Sequence, residues 1–168
     1  MAYKVYLKKN EEKRIVAGHS WVFANEVAKI ENKDKNGSLA EGYSHDGRYI
    51  GKGYINHASK IPVRIFIRGN ETDDEEFYLK RLKEANDYRM VFAEADNLPA
   101  LIVDRYADVL VIQCLSLGID LRKDMICKCL VKLFSPKGIY ERSDVSVRKK
   151  EGLTEVKQVL YGEVPDYQ

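Results

Sequence analysis

Four groups of residues in this 168-residue chain have types and spacings that could do chemistry. The first is GHSWVF, Gly18 to Phe23, which holds the only tryptophan. Gly18 permits a sharp approach, His19 can donate or accept a hydrogen bond, and Trp21 with Phe23 offers flat surface of the kind on which unpaired bases stack. Large aromatics more often serve burial, so the expectation is that Trp21 and Phe23 fill the core while His19 sits at a turn. The second group is EADNLPALIVDRYAD, residues 94–108, where Asp104 and Arg105 could pair, Arg105 could meet a phosphate, or a capping Asp could serve a plain hairpin. The third is YERSDVSVRKKEGL, residues 140–153. Arg142, Arg148, Lys149 and Lys150 are interleaved there with Glu141, Asp144 and Glu151, an arrangement suited either to a phosphate backbone or to a solvated loop. The fourth is the basic start, Lys4, Lys8, Lys9 and Arg14, which supports only non-specific electrostatics.

Catalytic patterns are sparse. The sequence holds no glycine-rich phosphate loop, no GxGxxG after a strand and no serine in a nucleophile-elbow context. The three cysteines, Cys114, Cys127 and Cys129, form no disulfide framework, and Cys129 lies in an apolar stripe as core filling. Cys127 and Cys129 cannot chelate together, and His19, His45 and His57 are scattered over turns, so no metal site is expected.

The elements that must position these groups fall into two parts. The composition, 45% hydrophobic and 32% charged with a net charge of +2, describes a folded protein whose affinity for a polyanion would need a local patch. YKVYLKK alternates like a half-buried strand, Asp46-Gly47 suits a tight hairpin, and IPVRIFIRG alternates Val63, Ile65 and Ile67 against Arg64, Phe66 and Arg68. Residues 1–70 therefore read as a small β-barrel. TDDEEFYLKRLKEANDYRM, within a connecting span of 71–90, reads as a helix capped by Thr72 with Glu75, presenting Tyr78, Leu82, Ala85 and Tyr88 on one face. Residues 91–168 read as β-β-α-β-β: a hairpin over 98–115, a helix capped by Asp120 and buried through Ile126, Cys129, Leu130 and Leu133, then strands near 137–144 and 157–164. The fold class is α+β. No apolar run is long enough for a bilayer, and the start has no signal-peptide core, so no membrane partner and a cytoplasmic location are expected.

GHSWVFANEV, GRYIGKGYINHASKIPVRI, EADNLPALIVDRYADVLVIQ and YERSDVSVRKKEGL, in this order, resemble the PUA-domain-containing SAM-dependent methyltransferases that modify C5 of cytosine in large-subunit ribosomal RNA. The resemblance covers essentially the whole chain. It implies a PUA-like RNA-binding barrel, a connecting helix and a central α+β domain, with ribosomal RNA as partner. It also implies that the family's C-terminal Rossmann domain, with its S-adenosylmethionine site and catalytic cysteine, has no counterpart here. On that expectation the chain binds no cofactor, has no catalytic residue and is inactive alone. The candidate RNA contacts are Lys8, Lys9, Arg14, His19, Arg64, Arg105, Arg142, Arg148 and Lys149, with Asp104, Asp144 and Glu151 as orienting carboxylates. The chain departs from the family pattern at Ser20, in place of a proline, and at Ala95, Asn97 and Ala100, in place of glycines, and its 88–94 connection is short. A stand-alone RNA-binding protein and a protein-interaction module able to form a homodimer are the alternatives.

Overall fold

The computed structural model describes residues 2–84, 89–93 and 98–165. The chain divides into two units, Met1–Thr72 with Lys150–Gly152, and Asp73–Lys149 with Leu153–Gln168.

The first unit is built on period-two strands. β1 (Tyr3–Leu7) buries Tyr3, Val5 and Leu7 and turns Lys4 and Tyr6 outward, as alternation demands. A short helix α1 (Glu12–Val16), β2 (Trp21–Val22) and β3 (Val27–Glu31) follow, then β4 (Leu39–Tyr43), β5 (Tyr49–Ile55) and β6 (Val63–Ile67). The sheet order is β2-β6-β5-β4-β1-β3, with β1 and β4 parallel and the other pairs antiparallel. The β4–β5 hairpin turns at Gly47, whose φ of +86° a side chain would resist. Register shifts in three of the pairings let the sheet curl, and Gly53 permits it: a Cβ there would lie 1.9 Å from the Arg64 carbonyl. Val5, Leu7, Ile15, Val22, Ile55, Val63 and Ile65 fill the inside, each worth about 1.5–3 kcal/mol of burial.

On the outer face of this sheet Lys4 is flanked by carboxylates and does not belong to a free cationic stripe. One cross-strand row reads Glu31, Lys4, Glu41, Lys52, alternating in charge. The next reads Lys29, Tyr6, Tyr43, Tyr49, in which Tyr6 stacks on Tyr43 with ring centroids 5.2 Å apart and Lys29 lies 4.6 Å from the Tyr6 ring.

In the second unit α2 (Glu75–Glu84) begins at Asp74, whose carboxylate accepts the Phe77 N–H at 2.9 Å. The cap is therefore Asp74 rather than Thr72. Tyr78 and Leu82 are buried as expected, while Ala85 and Tyr88 lie outside the described residues. The expected helix does not reach Met90: Arg89–Phe92 is a strand, β7, paired antiparallel with β8 (Leu101–Tyr106). Its four residues carry too little alternation to stand out at the end of an amphipathic helix. β8 pairs with β9 (Val109–Cys114), and two helices, α3 (Leu117–Leu121) and α4 (Lys123–Phe134), lead to β10 (Gly138–Ser143), parallel to β9. After α5 (Val147–Lys150), β11 (Val156–Gly162) pairs antiparallel with β10, giving the order β11-β10-β9-β8-β7. The cap of α3 is Ser116, whose hydroxyl accepts the Ile119 N–H at 3.4 Å; Asp120 lies inside the helix and serves another purpose. The buried face of α4 uses Ile126, Cys127, Cys129 and Leu130, with Leu133 only half-buried. Among the described residues no helix is long and apolar enough to cross a membrane.

Candidate nucleic-acid interface

The first unit brings two aromatics, two arginines and the carboxylates that pair with them together in one cluster. β2 pairs antiparallel with β6, which sets Trp21 opposite Arg64. A 3-10 turn over Ala24–Glu26 then folds the Glu26 carboxylate back onto the chain: it accepts the Phe23 N–H at 2.8 Å and the Arg14 guanidinium at 2.7 Å. Arg14 also donates to the Trp21 carbonyl at 2.9 Å and lies 5.2 Å from the Phe23 ring. Arg64 lies 5.7 Å from the Trp21 ring and 3.8 Å from the Glu151 carboxylate, and the Trp21 and Phe23 rings meet edge to face at 6.2 Å. Glu151 is buried, accepts from Asn56 through its backbone carbonyl at 2.7 Å, and so fixes the Arg64 side. Burial pushes the Glu26 carboxyl up, but the hydrogen bonds from Phe23 and Arg14 outweigh it and hold it below its ordinary value.

Here the expectation for the aromatics fails. Trp21 is 38% and Phe23 37% exposed, so neither fills the core. The segment does alternate, but one step out of phase with that expectation: Val22 is the inward residue of β2. His19 is exposed, and its carbonyl accepts from Arg68, which also bonds the Ile15 carbonyl at 2.6 Å. Lys8 and Lys9 are exposed. Glu26 and Arg68 belong to this cluster although neither stands out in the sequence; a carboxylate three residues after Phe23, at the close of a tight turn, is the one local signal for the first.

In the second unit the basic loop separates into two kinds of residue. Arg142 is exposed, with 64% of its side chain accessible, and Asp144 sits between it and Lys157 at 3.4 and 3.5 Å. Lys149 is exposed and 3.9 Å from Glu155. Arg105 is exposed and donates to the Ala107 carbonyl at 3.0 Å, while Asp104 lies in β8 opposite Arg89. Arg148 is different: it is 2% exposed and donates to the Cys114 and Thr154 carbonyls at 2.6 and 2.7 Å and to Asp120 at 2.8 Å. A guanidinium engaged by three internal acceptors does not reach a phosphate, so Arg148 leaves the set of candidate contacts. Asp120 also pairs with Lys123 at 3.3 Å, which reaches the fully buried Glu141 at 3.1 Å; Glu141 accepts from Ser143 and Gln158 as well. This network is legible in part from the sequence, since the alternation of β10 places Glu141 inward with Ile139 and Ser143.

The cysteines are all buried and free, and burial with nearby carboxylates pushes the Cys127 thiol up to about 12 and Cys114 higher still. Among the described residues no cluster of three or more His, Cys, Asp or Glu could hold a metal ion.

Comparison with known proteins places these features. Residues 5–68 match the PUA-like domain family. Ribosomal RNA large subunit methyltransferase I of Aeromonas hydrophila is 38% identical over 98% of this chain, and that of Vibrio cholerae is also 38% identical over 98%. Each alignment covers 45% of the relative, so the chain spans less than half their length. A candidate SAM-dependent methyltransferase from Streptococcus mutans superimposes with a TM-score of 0.79 over 99% of this chain and 44% of its own, at 16% identity, which speaks for the fold alone. A second such structure, solved with SAH, matches equally well. The chain thus carries a PUA-like domain at residues 5–68 and is homologous, over nearly all its length, to part of the ribosomal RNA large subunit methyltransferases.

Proposed function

We propose that this chain recognises ribosomal RNA for a SAM-dependent methyltransferase acting on C5 of a cytosine in the large subunit. The observation that carries this reading is the 38% identity extending across both units, not only over the PUA-like match. The accessible cations support it. Lys8, Lys9 and His19, with the half-buried Arg14 and Arg64, in the first unit, and Arg105, Arg142 and Lys149 in the second, are the proposed contacts. Asp144 and Glu151 orient Arg142 and Arg64, so part of the entropy of fixing those guanidiniums is lost before RNA arrives. Asp104, opposite Arg89 in the β7–β8 ladder, is proposed to steady the neighbouring strand end. SAM would supply the methyl group; no strand-to-helix turn among the described residues is glycine-rich in the manner of a nucleotide-binding loop, so no residue of this chain is assigned to it.

The test is a titration of the chain with fragments of large-subunit rRNA against transfer RNA and duplex DNA of matched length. Saturable binding that prefers one rRNA fragment is expected. Equal, weak binding to every polyanion would overturn the reading. A second reading, a dimerisation module, draws on β11, an edge strand that exposes Val159 and Tyr161. Sedimentation velocity over a range of protein concentrations distinguishes it, since only that reading requires a concentration-dependent dimer.

A further inference from the structure

We infer that Trp21 and Phe23 form a stacking site for an unpaired nucleobase, a contact that rests on the RNA-recognition reading above and assigns it a specific place. Trp21 and Phe23 each leave more than a third of their surface accessible and meet edge to face, so together they present aromatic surface on which a flat ring can stack. Their surroundings are not those of a loosely packed surface. The Phe23 N–H is tied to Glu26, the Trp21 carbonyl to Arg14, and the strand carrying Trp21 to β6. The backbone that carries both rings is therefore fixed before any ligand arrives, which lowers the entropy lost on binding.

Charge identifies the occupant. A guanidinium lies beside each ring, Arg14 by Phe23 and Arg64 by Trp21. The backbones of two exposed lysines bond the same turn, Lys8 N–H to the Glu26 carbonyl at 2.8 Å and Ala24 N–H to the Lys60 carbonyl at 3.0 Å. Aromatic surface with a guanidinium beside each ring suits a polyanion that presents unstacked rings, which is RNA with looped or bulged bases. Arg14 and Arg64 have Glu26 and Glu151 as counter-charges, so the stacking contact itself adds little salt dependence. That separates it from the lysine contacts.

Trp21 is the only tryptophan, so its fluorescence, excited at the red edge where tyrosine does not absorb, reports this site directly in the unmodified chain. Adding an rRNA stem-loop should quench it, and the same stem closed into a full duplex should not. Trp21→Ala and Phe23→Ala should each weaken stem-loop binding roughly ten-fold to a hundred-fold with the salt slope unchanged, while Trp21→Phe, which keeps a flat ring, should retain most of the affinity. Circular dichroism shows whether each variant is folded. If the chain binds the stem-loop with no quenching and no loss in folded Trp21→Ala, the stacking site is wrong and the RNA reading stands. If the chain binds no RNA, both fail. If quenching instead follows protein concentration alone, the patch belongs to a second copy and the inference is overturned.

Discussion

Replacing Arg148 with Ala should destabilise the second unit far more than it weakens RNA binding. The guanidinium is buried and makes three internal hydrogen bonds, one to the Asp120 carboxylate at 2.8 Å and two to carbonyls at 2.6 and 2.7 Å. Removing one partner of a buried charge pair typically costs about 3–5 kcal/mol. Asp120 keeps Lys123 at 3.3 Å, which places the expected loss near the lower end, about 3 kcal/mol. With a urea slope of about 1–3 kcal/mol per molar, the unfolding midpoint should fall by roughly 1–3 M. Labelling of Cys114 as urea rises follows the second unit, because that thiol is buried there. Arg148→Lys should recover only part of the loss, since an ammonium cannot match a fork aimed at three acceptors. Arg142→Ala, in the same basic stretch but exposed, should cost no more than about 1 kcal/mol. The reasoning is refuted if Arg148→Ala leaves the midpoint unchanged and lowers the salt slope of RNA binding as removal of a phosphate-binding cation would.

Three further outcomes are expected. Glu26 has a folded pKa below its ordinary 4.5, so its contribution is present above that pH and disappears as the pH falls through the folded value; Glu11, held up by its hydrogen bond to Glu26, acts in the opposite sense. Glu26→Gln removes both effects, and the difference between wild type and variant in acid denaturation, followed by Trp21 fluorescence, should shrink below pH 4.5. Native protein at neutral pH should resist a thiol reagent at Cys114 and Cys127, because burial keeps both protonated, and unfolded protein should react at all three cysteines; rapid native labelling would contradict the burial. Arg142→Ala and Lys149→Ala should each lower the slope of log affinity against log salt by roughly 0.7–0.9 for each phosphate no longer neutralised, measured by titration over a salt series.

How much of this is legible in the sequence depends on how local each signal is. β1 and β6 show themselves through alternation, the β4–β5 hairpin through Asp46-Gly47, and β8–β9 as two apolar runs joined by a short polar loop, although β8 runs on to Tyr106, into the residues read as that loop. The helix caps are not decided by residue type, because Thr72, Asp74, Ser116 and Asp120 are all capable of capping, and only the backbone geometry determines which carboxylate or hydroxyl meets an N–H. Arg148 and Arg142 look alike in a basic stretch; one turn of α5 carries the first inward and leaves the second on β10 facing water. Trp21 defies the expectation of burial because its strand is two residues long, too short for alternation to outweigh the argument from size. The ladder that neutralises Lys4 depends on pairing β1 with strands far along the chain, a relation no local window contains.

The measurement that bears most directly on the central claim is the affinity of this chain for a large-subunit rRNA stem-loop as a function of salt. Tight binding at low salt is expected, weakening linearly in log–log terms, with a slope that falls when Lys8, Lys9 or Arg142 is removed and holds when Trp21 or Arg148 is changed in folded protein. Binding that ignores salt, or that responds to none of these lysines and arginines, would contradict it.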